Sequence, residues 1–258
     1  MKLASLDDGT PDGSLHVVNR ALTRAANATR VARTLQAALD GWDTVGPRLA
    51  ELAARLEEGA VRDAFPLDVA RTLAPLPRAH ALLRTDAHGA LYPACSDWFL
   101  PPHAPPQHAP VLLRGALAAI LPHTARGTAA SAVHVPLLCL LADVELEKPH
   151  GPLDRFPPAA MGPVAVSPDE LGSHWQHGRV DLPLVVTHNG EPAITPCPAV
   201  AHAALVAAAC RRRAVAPGTL LLGPAGEAVR IGLGDTVKVE ALAGGHSVFG
   251  AVEQGGPP

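Results

Sequence analysis

The stretch VLLRGALAAIL, residues 111–121, is apolar except for one cation, Arg114. In a strand, successive side chains alternate between the two faces, so Arg114 would share a face with Ala116 and Ala118. An arginine on an otherwise apolar strand faces either water or a pocket. A sheet that contains this stretch must therefore be open to solvent, or to a cavity, at the position of Arg114.

Further strand signals surround this stretch. The run LLCLLADVEL is apolar up to Asp143 and fits a buried strand, although its apolar run alone would also fit a helix. Asn189-Gly190 and Gly244-Gly245 each separate two short apolar segments, as the two-residue turns of hairpins do. These signals predict that the second part of the chain is β-rich.

Few helices are expected in this β-rich part. SPDELG predicts a short helix that begins with a capping box formed by Ser167 and Glu170. PAVAHAALVAAAC has a helical pattern, and Arg211-Arg212-Arg213 after it would supply cations to the last helical turn. The basic cluster is therefore interpreted as a helix end.

Residues 1–75 are predicted to form a small α+β domain. MKLASLDDGTPDGSLHVVN is typical of a hairpin around a turn rich in Asp, Gly and Pro. Two helical segments follow, one with Thr29 as its N-cap and one with Pro47 in its first turn, and each ends at a glycine. Residues 76–258 would form a larger β-rich domain. The predicted fold class is α+β with a high share of strands.

Composition narrows the function classes. The chain has 258 residues, 48% of them hydrophobic and 17% charged, so it can bury a large core. Its net charge of −3 and its scattered lysines and arginines argue against binding to nucleic acid. No apolar run approaches the roughly 18 residues of a membrane span, and no leader pattern is visible, so a soluble, cytoplasmic protein is expected. The cysteines lack C-x-x-C spacing and are interpreted as reduced thiols: Cys95, Cys139, Cys197 and Cys210.

Three segments together carry a family resemblance. MKLASLDDGTPDGSLHVVNRALTRA, GPVAVSPDELGSHWQHGRVDLPLVVTHNG and GDTVKVEALAGGHSVFGAVEQ are similar, in this order, to segments of the fumarylacetoacetate hydrolase family in its longer bacterial form. The resemblance implies a β-rich domain of rolled sheets behind a small N-terminal domain. It also implies a homodimer.

The same resemblance implies a chemistry that this sequence does not support. Members of the family act on small oxo acids and use Mg²⁺ or a similar ion held by carboxylates, two of them from a Glu-x-Glu. That pair falls on Arg114 and Ala116, and only the third ligand, Asp143, is retained. We therefore predict no metal and no other cofactor, with Arg114 placed against Asp143. Arg114 would either fill a vacant site or act as a fixed electrophile. The thirteen histidines include no pair with the spacing of a known metal site.

Other candidate site residues follow from the aligned segments. The family's catalytic lysine falls on or near Phe156, and the segment that would hold its lid is too short. YPACSDWFL resembles the family's pocket wall. The predicted catalytic residues are Arg114, Asp143, His88 and Asp97. The predicted substrate-binding residues are Tyr92, Ser96, Trp98 and Phe156.

Two functions are compatible with these losses. The first is a metal-independent biosynthetic enzyme, a cyclase, isomerase, dehydratase or decarboxylase, for an oxo-acid or polyketide-like molecule. Replacement of metal ligands, lysine and lid together is what a change of chemistry would require. The second is a non-catalytic small-molecule-binding or partner subunit, because no new catalytic motif is visible. Neither function involves nucleic acid or a membrane.

Overall fold

Residues 111–121 form one long strand inside a twelve-stranded sheet. The fold is described from a computed structural model that covers residues 1–85, 90–94, 98–104, 110–151, 154–196, 200–223 and 225–255.

The N-terminal part contains a small sheet region and two helices. In chain order its elements are β1 (Lys2–Leu6), β2 (Ser14–Val18), β3 (Arg24–Asn27), α1 (Leu35–Asp40), α2 (Trp42–Glu57), β4 (Phe65–Pro66) and a 3₁₀ turn at Val69–Arg71.

The rest of the described chain is mostly strands. These are β5 (Ala81–Thr85), β6 (Leu91–Ala94), β7 (Val111–Leu121), β8 (Leu137–Leu146), β9 (Ala160–Met161), β10 (Ala165–Val166), β11 (Trp175–Gln176), β12 (Arg179–Val180), β13 (Pro183–His188), β14 (Glu191–Pro196) and β15 (Val200–Ala201). After them come α3 (His202–Ala209), β16 (Thr219–Leu222), β17 (Val229–Ile231), β18 (Val237–Ala243), β19 (His246–Ser247) and β20 (Val252–Gln254). Two 3₁₀ segments lie at Ala130–Ala132 and Pro168–His174.

The described strands form three sheets. The large sheet has the order β4-β3-β2-β1-β10-β8-β7-β16-β5-β6, with β17 and β9 added to β7 and β8. A five-stranded sheet is built around β13 and β18, and a three-stranded sheet has the order β11-β12-β15. This mixed, strand-rich architecture confirms the predicted fold class.

The N-terminal hairpin extends the large sheet. β1 pairs with β10 in an antiparallel register, with Lys2 opposite Val166 and Leu3 opposite Ala165. Backbone hydrogen bonds therefore run without a break from the N-terminal strands into the β-rich part. The predicted domain division at residue 75 stays a prediction.

The two N-terminal helices begin at other residues than predicted. Thr34, and not Thr29, caps α1, because its hydroxyl accepts a backbone N–H three residues later at 3.1 Å. α2 begins at Trp42, so Pro47 lies inside the helix and not in its first turn. The Trp42 ring is buried against Gly46, where an added Cβ would come within 3.0 Å of the ring. This contact stabilises the turn of α2 that precedes Pro47. No local sequence pattern predicts it.

Both predicted hairpin turns are present. Asn189 and Gly190 connect β13 to β14, with φ values of +49° and +87°. Gly244 and Gly245 connect β18 to β19, with φ values of +56° and +82°. A two-residue turn of this kind needs positive φ at both positions, and Asn and Gly adopt it at low cost.

The predicted capping box is absent, whereas the basic cluster does mark a helix end. At the 3₁₀ segment, the Glu170 N–H donates to the Ser167 carbonyl, so it is not available to the Ser167 hydroxyl and the capping box does not form. α3 ends at Ala209, and Arg211-Arg212-Arg213 follow it. The Arg211 N–H donates to the Ala208 carbonyl, three residues earlier, as in the 3₁₀-type turns that often end a helix.

The two faces of the large sheet bury two different apolar clusters. On β7, Leu113 and Leu117 pack on the side of the five-stranded sheet. Ala116 and Ile120 pack on the other side, with the N-terminal helices. Because side chains alternate, Arg114 lies on the helix-facing side of the sheet.

The sequence predicts reduced cysteines and no membrane-spanning segment. Cys139 and Cys210 are buried free thiols, whereas Cys95 and Cys197 lie outside the described residues. Within the described ranges, no helix combines the length and the apolar character that crossing a membrane requires.

Candidate functional site

Charged side chains gather at one end of the helix-facing side of the large sheet. Arg114 on β7 pairs directly with Asp143 on β8, and Glu145 follows on the same side of β8. Arg84 comes from β5, which is separated from β7 by β16. β16 ends at Leu222, the residue that pairs with Arg84, and the Arg84 side chain contacts Asp143 on β8.

The deepest contact is a two-pronged ion pair between Arg84 and Asp143. Nη1 and Nη2 of Arg84 donate to the two carboxylate oxygens of Asp143. The two side chains are 7% and 2% exposed. The predicted contact between Arg114 and Asp143 is wrong, because Arg84 already occupies both Asp143 oxygens and Arg114 extends to a different carboxylate.

The carboxylate that Arg114 contacts is that of Glu145, which belongs to a second, more exposed set of ion pairs. Arg114 Nη1 donates to Glu145 Oε2 at 2.8 Å, and Arg155 Nε donates to Glu145 Oε1 at 2.7 Å. The exposed fraction of the side chain rises from 17% for Glu145 to 24% for Arg114 and 53% for Arg155. The exposure of the ion pairs therefore increases from Arg84 and Asp143 to Arg155.

One aromatic ring lies against these guanidinium groups, and a second ring lies beside the first. The Cζ atom of Arg84 is 4.1 Å from the centroid of the Phe156 ring, and that of Arg155 is 5.1 Å away. The ring of Tyr92 on β6 is 6.5 Å from the Phe156 ring, centroid to centroid. A guanidinium–ring contact is worth about 0.5–2 kcal/mol and orients the guanidinium plane. Phe156 thus holds Arg84 in the plane that faces Asp143.

We call this group the arginine cluster. It consists of Arg84, Arg114, Arg155, Asp143 and Glu145. Three guanidinium groups face two carboxylates, so the cluster has a net charge of +1. Guanidinium groups bind carboxylates through paired hydrogen bonds, and an aromatic wall suits the apolar part of a small ligand. The cluster is therefore suited to a small organic anion.

A pH dependence follows from the contacts of Glu145. Burial alone would raise the pKa of its carboxyl group, but hydrogen bonds from Arg155 and Arg114 outweigh burial and hold that pKa below its usual value of 4.5. A pKa that is lowered on folding adds stability above the unfolded-state pKa, and this stability is lost as the pH falls through the folded-state pKa. We expect the free energy of unfolding to fall more steeply below roughly pH 4.5 in the wild type than in Glu145→Gln.

Urea denaturation at a series of pH values measures this difference. Asp68→Asn is a suitable control, since this exposed carboxylate lies in the N-terminal part of the chain and caps a 3₁₀ turn. Parallel pH curves for the wild type and Glu145→Gln would contradict the prediction.

A second candidate region is a cavity of about 960 Å³ between α3 and the two 3₁₀ segments Ala130–Ala132 and Pro168–His174. Its wall consists mainly of small apolar side chains, together with Trp175 and two histidines. The two carboxylate or guanidinium side chains on its wall, Asp169 and Arg179, are exposed. The arginine cluster is the stronger candidate for chemistry, because charges act more strongly where water is excluded.

Solved structures share this fold over nearly the whole chain. The maleylpyruvate hydrolase from Sphingobium sp. SYK-6, in complex with manganese(II) ion and pyruvate, superimposes with a TM-score of 0.74 at 16% identity, over 99% of this chain and 98% of that chain. A putative HpcE protein from Mycobacterium smegmatis gives 0.70 at 17% identity, over 98% of each chain. A probable 2-hydroxyhepta-2,4-diene-1,7-dioate isomerase from Mycobacterium abscessus gives 0.69 at 14% identity, over 100% of this chain and 99% of that chain.

The sequence itself carries a family match in its N-terminal part. Residues 1–78 match the family model described as Fumarylacetoacetase N-terminal domain 2. This match and the shared fold support the predicted resemblance to the fumarylacetoacetate hydrolase family. The predicted resemblance and the predicted fold are therefore confirmed. No curated protein matches this sequence.

The described residues do not fit the divalent ion that the fumarylacetoacetate hydrolase family implies. The resemblance implies that the family's Glu-x-Glu falls on Arg114 and Ala116, and Ala116 is buried in the apolar cluster beneath the helices. Asp143 accepts from Arg84 on both oxygens. Within the ranges that the structure describes, no three His, Cys, Asp or Glu side chains converge as metal ligands would. A hard cation needs several oxygen ligands, and this site presents guanidinium groups.

Of the other predicted site residues, some lie beside the arginine cluster and some lie outside the described residues. Tyr92 and Phe156 lie beside the arginine cluster. Trp98 is 41% exposed. His88, Ser96 and Asp97 lie outside the described residues, so their roles stay predictions.

Three members of the cluster were not predicted: Arg84, Glu145 and Arg155. Arg84 gives the same signal as Arg114, since it is a single cation within the apolar strand ALLRT. Glu145 follows Asp143 at a spacing of two, which places both carboxylates on one face of a strand. Arg155 has no comparable signal, because it lies between β8 and β9 in a segment without periodicity.

Proposed function

We propose that this chain acts on small oxo acids without a divalent metal ion, and that guanidinium groups supply the positive charge that a metal would otherwise supply. The observation that supports this proposal is the buried pair of Arg84 and Asp143, which places a fixed cation on the carboxylate that aligns with a metal ligand of the family. The structurally similar proteins include a maleylpyruvate hydrolase and a dienedioate isomerase by name.

The proposed reaction type is proton transfer next to a carbonyl group. A base removes a proton from the carbon beside the carbonyl, and the electron pair moves onto the oxygen to give an enolate. Guanidinium N–H groups stabilise this oxyanion, and return of the proton to a different carbon completes an isomerisation. His88 and Asp97 are the proposed proton carriers. An enolate of this kind also precedes ring closure or loss of water, and it is the product when a 3-oxo acid loses CO₂. The predicted biosynthetic reactions therefore share an enolate oxyanion that guanidinium groups can stabilise.

The second candidate function is that of a non-catalytic small-molecule-binding subunit. One observation favours it: within the described part of the cluster, both carboxylates are held by guanidinium groups and neither is free to act as a base. The proposed homodimer also stays a prediction.

One experiment separates these possibilities. Pyruvate, 2-oxoglutarate and acetoacetate are titrated into protein treated with EDTA, by calorimetry, and the titrations are repeated with Mg²⁺ or Mn²⁺. We expect binding that does not depend on the metal, and a melting temperature that neither ion raises. Exchange of the pyruvate methyl protons in D₂O, followed by NMR, then reports enolisation. Exchange above the buffer rate supports the enzyme, and binding without exchange supports the non-catalytic subunit.

Two outcomes would overturn the proposal. The first is a stoichiometric divalent ion bound by Asp143 in purified protein. The second is absence of binding for all three acids in the metal-free protein.

A further inference from the structure

An arginine guanidinium group has two edges that can each hold a carboxylate or a similar anion. The end edge presents one N–H from Nη1 and one from Nη2. The side edge presents the Nε–H and one N–H of the neighbouring Nη atom. Because the group is planar and rigid, a carboxylate on the end edge leaves the geometry of the side edge intact.

In Arg84 the end edge is occupied. Nη1 and Nη2 both donate to Asp143, so this carboxylate accounts for the end of the guanidinium group. Phe156 covers the plane of the guanidinium, with Cζ 4.1 Å from the ring centroid. What remains for another group is the side edge.

The side edge contains a buried donor that the described residues do not satisfy. Arg84 is 5% exposed, and its Nε–H has no hydrogen-bond acceptor within the part of the chain that the structure describes. A buried donor without an acceptor is costly, and such groups are rare in folded proteins unless they have a function. Water or a ligand oxygen is therefore expected at this position.

We propose that the side edge of Arg84 is the oxyanion-binding edge of the site. It would take a planar anion with two adjacent oxygens, namely the carboxylate of an oxo acid or the enolate of a 1,3-dicarbonyl compound. Arg84 then binds Asp143 and the ligand at the same time, and the ligand lies beside the Phe156 ring. This inference rests on the proposed function and identifies the residue and the edge that recognise the ligand.

The first test is Arg84→Lys in the full-length protein. Lysine keeps the positive charge beside Asp143 but lacks the planar side edge. We expect the affinity for pyruvate, measured by calorimetry in EDTA, to fall about 10- to 100-fold. The matched control is Arg78→Lys. Arg78 also makes a two-pronged contact, through Nε and Nη2 to Asp12, but it is exposed and lies in the N-terminal part of the chain, so binding should not change.

The second test uses wild-type protein and does not depend on the folding of a variant. Arginine side chains are labelled with ¹⁵N at Nε, and the Nε–H signals are followed by NMR. Arg84 is identified by its contact with the Phe156 ring and by slow exchange with solvent, since Arg155 on the same ring is exposed. We expect this signal to shift on addition of pyruvate. Pyruvamide, which replaces the carboxylate by a neutral amide, should shift it much less.

The outcomes separate this inference from the proposed function. If wild-type protein binds pyruvate, while Arg84→Lys binds it equally well or the Arg84 Nε–H signal does not move, the side edge is not the ligand site and the proposed function stands. If the wild type binds none of the three acids, the proposed function fails, and this inference fails with it. Loss of affinity together with a shift of the Arg84 signal supports both.

Discussion

Replacing Arg84 by methionine should lower the free energy of unfolding by about 3–5 kcal/mol, because it leaves the buried carboxylate of Asp143 without its partner. Asp143 is only 2% exposed, so water cannot replace the two hydrogen bonds that Arg84 supplies. Urea denaturation at neutral pH measures the loss.

The double variant Arg84→Met with Asp143→Leu distinguishes the cause. A well-packed apolar pair can replace a buried ion pair at little or no cost, so the double variant should recover most of the lost stability. Arg78→Met is the control, because its pair with Asp12 is largely exposed, and exposed ion pairs contribute little to stability. If Arg84→Met lowers the free energy of unfolding no more than Arg78→Met does, the pair of Arg84 and Asp143 is not shielded from water.

The double variant also tests whether stability explains the charges of Arg84 and Asp143. A buried ion pair is weak evidence for stability, since an apolar pair of similar volume often does as well. If the double variant is as stable as the wild type, stability does not explain why Arg84 and Asp143 are both charged. Ligand recognition by Arg84 then accounts for a charge that the fold does not require.

The strand pattern and the turns could be predicted from the sequence because their causes are local. Alternation along residues 111–121 places Arg114 on one face of β7, and the structure shows a cluster of charges at one end of this face. Asn189-Gly190 specifies a hairpin through its own backbone preference. The predicted start of α2 was wrong because the cause is not local: the first turn depends on the packing of Trp42 in the core.

The partners within the site could not be predicted, because they depend on topology. Arg84 and Asp143 are 59 residues apart, and they meet because the strand order places β5 and β8 in the same sheet. Sequence periodicity gives the face on which each side chain lies, but not the order of strands in the sheet. The family resemblance located Asp143 and contained no information about the arginine that now holds it.

The largest expected effect on binding is that of Arg114→Glu. The substitution changes the arginine cluster from three guanidinium groups and two carboxylates to two and three, so its net charge changes from +1 to −1. Arg114 is partly buried, and charges interact more strongly where water is excluded. We expect the affinity for pyruvate in metal-free buffer to fall about 100-fold or more.

Arg78→Glu is the matched control, because it changes the net charge of the whole protein by the same amount at an exposed pair in the N-terminal part of the chain. Salt screens such exposed charges, so at physiological ionic strength its effect on affinity should stay below about two-fold. Circular dichroism and the urea midpoint establish that each variant is folded before its affinity is compared. If both variants weaken binding equally, long-range charge explains the effect. If folded Arg114→Glu binds pyruvate as the wild type does, the ligand site lies outside the arginine cluster, and the cavity beside α3 becomes the region to test.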